Sequence, residues 1–488
     1  MTALYFDLKN PIRGLFYYQT PEFGQPWMVP FEFPLYQGLV AGISHHTSLP
    51  LTAVGRMLSG VFLLLALYPI YIIFNKLHLG RSAFFFSAVF LLLSPLYLYW
   101  SRTFMIESTA IFFGLSFVAL VCLVCSKWSL FIAFCALICG ILCALVKATT
   151  FPSFGVAACL AAFAIFFGKD SVLTLARKTS RIFIVILGVC ICILAALLWT
   201  RHADALKSLN PITSHPVSSS LAIWNYGPFE QRFTVEFWQK LVFERAIPEA
   251  IGSPILLVLL PIAFVFAKHY EKMVLVCLVG LFFLPMFLFS NLHIIHSYYQ
   301  YANSFWLIFA LGLSIALLAP RMPKWSMFSL ALVVISLQLY KFSEEYYIPT
   351  TWRWHAAMDV GKKVDKETPK SSAILVAGDE WSPEVAFYSK RKAIYIPNWV
   401  DGYFNVNEEA LVSALEQPEK LLGGLPLSAI IVRDNHPERT QLPEDRQQAL
   451  VRLLKKMAPP LEEIKIKDYT LYLYQKNQID EHPGARHY

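Results

Sequence analysis

A small set of side chains carries the polar chemistry of a chain that is otherwise greasy. Glu32 lies between Phe31 and Phe33, with Pro34 next. The stretch WSRTFMIES, Trp100–Ser108, holds Arg102 and Glu107. Lys147 stands in LVKATTF, and NLHIIHSYYQYAN, Asn291–Asn303, supplies His293, His296, Tyr298, Tyr299 and Gln300. A pair of carboxylates can share a divalent ion such as Mg or Mn, which prefers oxygen ligands. Glu32 and Glu107 are therefore candidate metal ligands as well as candidate catalytic groups. Lysine and arginine can grip a phosphate, which makes Lys147 and Arg102 candidate phosphate ligands. A carboxylate can also take a proton from a hydroxyl as a general base.

Each of these residues has a plainer reading. Lys147 and Arg102 can snorkel to an interface, and Tyr298 and Tyr299 can belong to an aromatic belt. Glu107 can cap a helix at its positive dipole end. His293 can be an ordinary loop histidine. The set as a whole argues for function, because charged groups at membrane depth are costly.

The surroundings are membrane-like. Of 488 residues, 56% are hydrophobic and 15% charged, whereas a soluble domain is about a quarter charged. Ten apolar runs, near 53–74, 83–100, 104–125, 130–146, 152–168, 182–199, 252–267, 273–290, 301–319 and 325–341, predict an α-helical polytopic membrane protein. All nine cysteines fall inside these runs, where they read as small apolar filler.

Alternating the connecting loops by side separates their charges. One set holds Lys76, Arg81, Lys127, Lys169, Arg177, Lys178, Arg181, Lys268, Lys272, Arg321 and Lys324, against the acids Asp170 and Glu271. The positive-inside rule places that set in the cytoplasm. Membrane topology thus accounts for much of the net charge of +8 without invoking nucleic acid. The compact loops suggest a bacterial inner membrane, with the other face extracytoplasmic. Glu32, Arg102, Glu107, Lys147 and the His296–Gln300 cluster then surface on that outer face from four hairpins. Two acids and two cations there suit a lipid phosphate, and the chemistry they imply is sugar transfer from a polyprenyl-phosphate donor.

Three segments are expected outside. Residues 1–51 form a first extracytoplasmic loop, broken by prolines and lined with aromatics from Phe16 to Tyr36 that suit an interface. Residues 52–341 form the membrane domain, with an outer loop at 200–251 in which Phe233–Val242 reads as an amphipathic interfacial helix. Residues 342–488 form a C-terminal soluble α/β domain. There Ala373–Ala377, Ala393–Ile396, Ser428–Val432 and Tyr469–Tyr474 read as strands of a mainly parallel sheet. Glu384–Lys390, Asn407–Leu415 and Pro443–Lys456 read as helices between them. Its first strand is followed by a lone Gly378 instead of a glycine-rich phosphate loop. Residues 1–51 lie outside with no span before them, so one further helix is expected upstream of Met1.

The chain resembles the polytopic GT-C glycosyltransferases, near glycosyltransferase family 39, which includes protein mannosyltransferases and aminoarabinose transferases. The likeness is carried by EFPLYQ (Glu32–Gln37), VGRMLSG (Val54–Gly60), SRTFMIES (Ser101–Ser108), LVKATTF (Leu145–Phe151) and HSYYQ (His296–Gln300). The C-terminal GDEWSPEVAFYSKRKA, Gly378–Ala393, resembles the soluble tails of bacterial members. The resemblance implies inverting transfer of a hexose or pentose from a polyprenyl-phosphate sugar to a lipid, glycan or protein acceptor. Glu32 and Glu107 would lie near the donor phosphate or its metal. Lys147 and Arg102 would contact phosphate, and His296, Tyr299 and Gln300 would line the donor site. The family's usual catalytic acid follows its first transmembrane helix, a place that falls at or before Met1. An inactive truncated member is therefore one alternative. A lipid-linked saccharide transporter or flippase, or a non-catalytic scaffold, are others, although matching Gly/Pro-broken spans typical of transporter repeats are not evident.

Overall fold

In the computed structural model, residues 1–167, 174–351, 355–380, 382–400, 405–434 and 441–476 are described. They form two compact units. One comprises Glu32–Thr200 and Ala222–Arg353; the other comprises Met1–Phe31, Arg201–Leu221 and Trp354–Tyr488.

The first unit is helical. Among the described residues, five helices are long and apolar enough to cross a membrane: Leu51–Lys76, Glu107–Ser126, Leu175–Lys207, His269–Leu288 and one that begins at Lys324. A sixth arises if Val235–Ile251 and Pro254–Phe266, bent by 90°, count as one span. Four shorter apolar helices, Arg81–Leu93, Leu130–Val146, Phe151–Phe167 and Phe305–Arg321, complete the set. The chain is a multi-pass membrane protein. Each of the ten apolar runs lies on one of these helices, with two departures from the expected shapes. The run near 83–100 breaks at Ser94, because Pro95 lacks the N–H needed to continue the ladder and opens a new short helix, Pro95–Trp100. The run near 252–267 is half of the bent pair, turned at Gly252, whose φ of +83° suits glycine. The expected interfacial helix runs through the same pair, continuing past Val242 to Ile251, and it buries Phe237, Leu241 and Val242 while exposing Phe233 and Val235.

Small residues let the helices approach. A side chain added at Gly312 would meet the Ser87 backbone nitrogen at 2.6 Å, the close approach that small residues permit between membrane helices. The unit's core is continuous, drawing on Phe90, Phe117, Phe154, Phe282, Phe305 and Trp306.

The second unit is α/β. Its sheet is ordered β2-β1-β3-β5-β4, with β1 (Ala373–Ala377), β2 (Lys392–Ile396), β3 (Leu427–Arg433), β4 (Glu462–Ile466) and β5 (Tyr469–Leu473). β1 pairs in parallel with β2 and β3, while β5 is antiparallel to β3 and β4. The parallel strands are buried on both faces, which explains their unbroken apolar runs. β4 eluded the sequence reading because its residues, EEIKI, alternate charge and apolar groups at the sheet's margin. The helices Glu384–Ser389, Glu408–Glu416 and Glu444–Lys456 match expectation to within a residue or two, and Ala356–Glu367 is an addition.

The first 31 residues contradict their reading as part of a loop lying in the interface. Glu22 bridges Ala393 of β2, and the Ala393 N–H donates to the Pro21 carbonyl at 2.9 Å. Phe23 and Trp27 are buried in the core of the α/β unit, Phe23 against Tyr395 and Trp399. Tyr18 is buried too, and Tyr36 is buried in the helical unit. These rings pack in cores because a neighbouring apolar face was available to them. Phe16, Tyr17 and Phe31 remain exposed.

Replacing Gly312 with valine should lower stability by about 1–3 kcal/mol through overpacking. Gly280, whose surroundings are open within 4 Å, should accept alanine without loss. Thermal unfolding of the detergent-purified variants would check both.

Candidate functional site

Four segments of the helical unit converge on Lys147. Each is fixed locally before it contributes a functional group. The Phe33 N–H donates to the Leu145 carbonyl at 3.0 Å, two residues from Lys147, and the Phe33 ring stands edge-on to Trp199 at 5.1 Å. Pro34 then sets the start of the helix Leu35–Thr47. Tyr36 donates its hydroxyl to the Gly55 carbonyl at 2.6 Å and lies 2.8 Å from Ser59 Oγ. Ser59 in turn donates to the Met105 carbonyl at 3.0 Å. The Glu32 segment and the Glu107 segment are thereby tied to the same helix.

Glu107 opens the helix Glu107–Ser126, where a carboxylate meets the positive dipole end. Its neighbour Ser108 shares a 2.6 Å hydrogen bond with the Tyr301 hydroxyl, while Tyr97 donates to the Tyr301 carbonyl. This locks the fourth segment, Tyr298–Tyr301, against the second. Lys147 follows the helix Leu130–Val146, with its N–H donating to the Cys143 carbonyl.

The Lys147 ammonium lies 3.3 Å from Glu32 Oε1 and 3.2 Å from Glu107 Oε1. It also sits over the rings of Tyr299 at 4.9 Å and Tyr298 at 5.5 Å, a cation–π arrangement. Lys147 and Glu107 are buried, with side chains 7% and 3% exposed, whereas the Glu32 side chain is 36% exposed. The triad with all groups ionised carries one net negative charge. Glu107 Oε2 is buried with no hydrogen-bond partner among the described residues.

His296 stacks on Tyr298 at 5.0 Å and lies 6.0 Å from the Trp224 ring. It belongs to the connection outside the spanning helices. Burial, then the charges of Lys147 and Arg245, push its pKa down to about 4, so it stays neutral near pH 7.

The remaining expected residues lie apart. Arg102 is exposed, donates to the Leu98 carbonyl and covers the Phe342 ring at 5.5 Å, and it is not among the described groups that contact Lys147. Gln300 is fully buried and donates to the His293 carbonyl at 3.2 Å. Glu32, Glu107, Lys147, Tyr299 and His296 are brought together. Tyr298 joins them, its ring facing both Lys147 and His296.

Sequence reasoning missed Arg245, which donates to the Ile294 carbonyl, and the buried pair in which the Tyr346 hydroxyl donates to Glu249 at 2.8 Å. Their one signal was the i, i+4 spacing of Arg245 and Glu249. Among the described residues, no group of three or more His, Cys, Asp and Glu side chains converges as metal ligands would. The ammonium of Lys147 lies where an ion shared by Glu32 and Glu107 would sit.

At the level of sequence, no protein family and no curated protein matches the chain. The fold has a counterpart in the cryo-EM structure of the arabinofuranosyltransferase AftD from mycobacteria. The two share 14% sequence identity with a TM-score of 0.52, over 98% of this chain and 39% of that one. The chain therefore spans well under half the length of that protein, and the likeness is one of fold.

Two outcomes are expected. Lys147→Met should cost about 3–5 kcal/mol by leaving Glu107 buried without its cation, and adding Glu107→Gln should restore much of the loss; thermal unfolding in detergent would measure both. The folded state holds the His296 pKa below its unfolded value, so the unfolded chain binds the extra proton. Its contribution to stability is therefore full above about pH 6.5 and is lost as pH falls toward 4. Stability of His296→Gln should fall less steeply across that window, as pH-dependent thermal unfolding would show.

Proposed function

We propose that the chain is a GT-C-like membrane glycosyltransferase that moves a sugar from a polyprenyl-phosphate donor to an acceptor hydroxyl on the extracytoplasmic face. The observation that carries this reading is the buried Lys147 cation, held between two carboxylates beneath a stacked wall of Tyr298, Tyr299 and His296. A fold shared with an arabinofuranosyltransferase supports it. The charge distribution of the loops supports the assignment of faces, with the α/β unit outside.

In this reading, Lys147 binds the donor phosphate with charge-assisted hydrogen bonds. Glu107 holds the ammonium in place from below. The aromatic wall offers ring faces to the apolar face of a sugar. Glu32, the more exposed carboxylate, accepts the proton of the acceptor hydroxyl. The acceptor oxygen bonds to the sugar's anomeric carbon from the face opposite the phosphate. The bond from that carbon to the phosphate oxygen breaks, and its electron pair leaves with polyprenyl phosphate. Attack from the opposite face inverts the anomeric centre.

Glu32 and Glu107 are also the proposed ligands for a Mg or Mn ion. As arranged, they fit a resident ion poorly, because Lys147 already supplies the positive charge both carboxylates face. The mechanism accordingly uses the ammonium to balance the leaving phosphate. The family resemblance limits the sugar to a hexose or pentose and the acceptor to a lipid, glycan or protein.

Glu32→Gln should leave the protein folded and lower transfer by roughly 10²–10⁴-fold, the usual worth of a general base. The check is release of labelled sugar from a polyprenyl-phosphate donor in detergent or proteoliposomes. Wild-type protein that carries the intact donor across the bilayer without releasing sugar would favour a transporter.

A further inference from the structure

The charges around Lys147 raise a difficulty that the proposed function must meet. The ammonium already faces two carboxylates, at 3.3 and 3.2 Å. A phosphate cannot join that group without crowding a third anionic partner onto one cation, and like charges at such range repel strongly in a buried site. One carboxylate has to give way.

The two differ in their freedom to do so. Glu107 is almost wholly buried in the first turn of a long helix, flanked by Ser108, whose hydroxyl is tied to Tyr301. Moving it would leave a carboxylate deeper in a medium that penalises charge. Glu32 has a side chain 36% exposed, on a backbone anchored by the Phe33–Leu145 hydrogen bond. That exposure lets water hydrate the carboxylate when a phosphate displaces it, while its attachment stays fixed.

Resting on the glycosyltransferase reading above, we propose that Glu32 is a displaceable counter-ion: the donor's phosphate takes its place on Lys147, and the released carboxylate becomes the base that accepts the acceptor's proton. Lys147 is thus kept neutralised in the empty site, and the base is set free when the donor arrives. No atom is gained or lost in the exchange; one ion pair replaces another, and the proton moves only in the transfer step.

This predicts an unusual split. A residue that merely helps to bind donor would weaken donor binding when removed. A displaceable competitor would strengthen binding when removed while still lowering turnover.

The experiment measures binding of farnesyl phosphate, as the probe, to the purified full-length chain in detergent by calorimetry, in parallel with steady-state sugar release. Glu32→Gln should bind the probe about three- to five-fold tighter, the worth of one half-exposed ion pair, with a lowered KM and a strongly lowered kcat. The double variant Lys147→Met/Glu107→Gln removes both buried charges together, which protects the fold, and should lose the probe. Equal or weaker binding by Glu32→Gln, with binding lost in the double variant, would overturn the displacement and leave Lys147 as the phosphate ligand. Unchanged binding in both would overturn the phosphate reading itself.

Discussion

A lysine ammonium buried inside a helical membrane protein is the constraint around which the helical unit is arranged. Removing such a charge from water costs several kcal/mol even after relaxation. Lys147 is tolerated because Glu32 and Glu107 supply opposite charge and Tyr298 and Tyr299 supply ring faces. The compensation needs four chain segments at once, so the fold has to bring the first connection, the start of one helix, the end of another and the 296–301 cluster to one place. The Tyr36–Ser59–Met105 hydrogen bonds and the Ser108–Tyr301–Tyr97 contacts do this with buried polar side chains, each satisfied by a partner from another segment. Such groups are expensive to bury alone and therefore specify the register in which the helices meet.

An arrangement that only stabilised the fold would be better served by apolar residues of similar volume, since buried ion pairs are often neutral or unfavourable against such replacements. That a mostly apolar unit keeps two carboxylates and an ammonium together favours a chemical role. The triad offers a single cation to two carboxylates, so in the proposed exchange a phosphate is accommodated only by replacing one of them. The neutral His296, stacked on Tyr298, adds an aromatic surface without adding to the positive charge.

Much of this was legible in the sequence. Each apolar run coincides with a helix, because a run of apolar side chains at helical length is plain in the sequence, although among the described residues only five of those helices, or six with the bent pair, are long and apolar enough to span. The scarcity of charge drew attention to Glu32, Glu107 and Lys147, which do meet. The alternation of strands and helices foretold the α/β unit. What escaped were the features decided by packing between segments distant along the chain. Phe23 and Trp27 read as interfacial aromatics, but their rings fill a core, and local composition does not distinguish those fates. Arg102 shared a loop with Glu107 and seemed bound to share its site. In the turn between two helices, its side chain lies over Phe342 instead. The 90° bend after Ile251 was hidden because the turn between the amphipathic arm and the apolar one depends on a single glycine.

The central claim is that Lys147 is the seat of the donor phosphate. The most direct measurement is a cryo-EM structure of the protein in nanodiscs supplied with a polyprenyl phosphate. The account predicts phosphate density about 3 Å from Lys147 Nζ, with Glu107 still in place and the Glu32 carboxylate turned away. A phosphate bound elsewhere, with Lys147 still closed between both carboxylates, would contradict it.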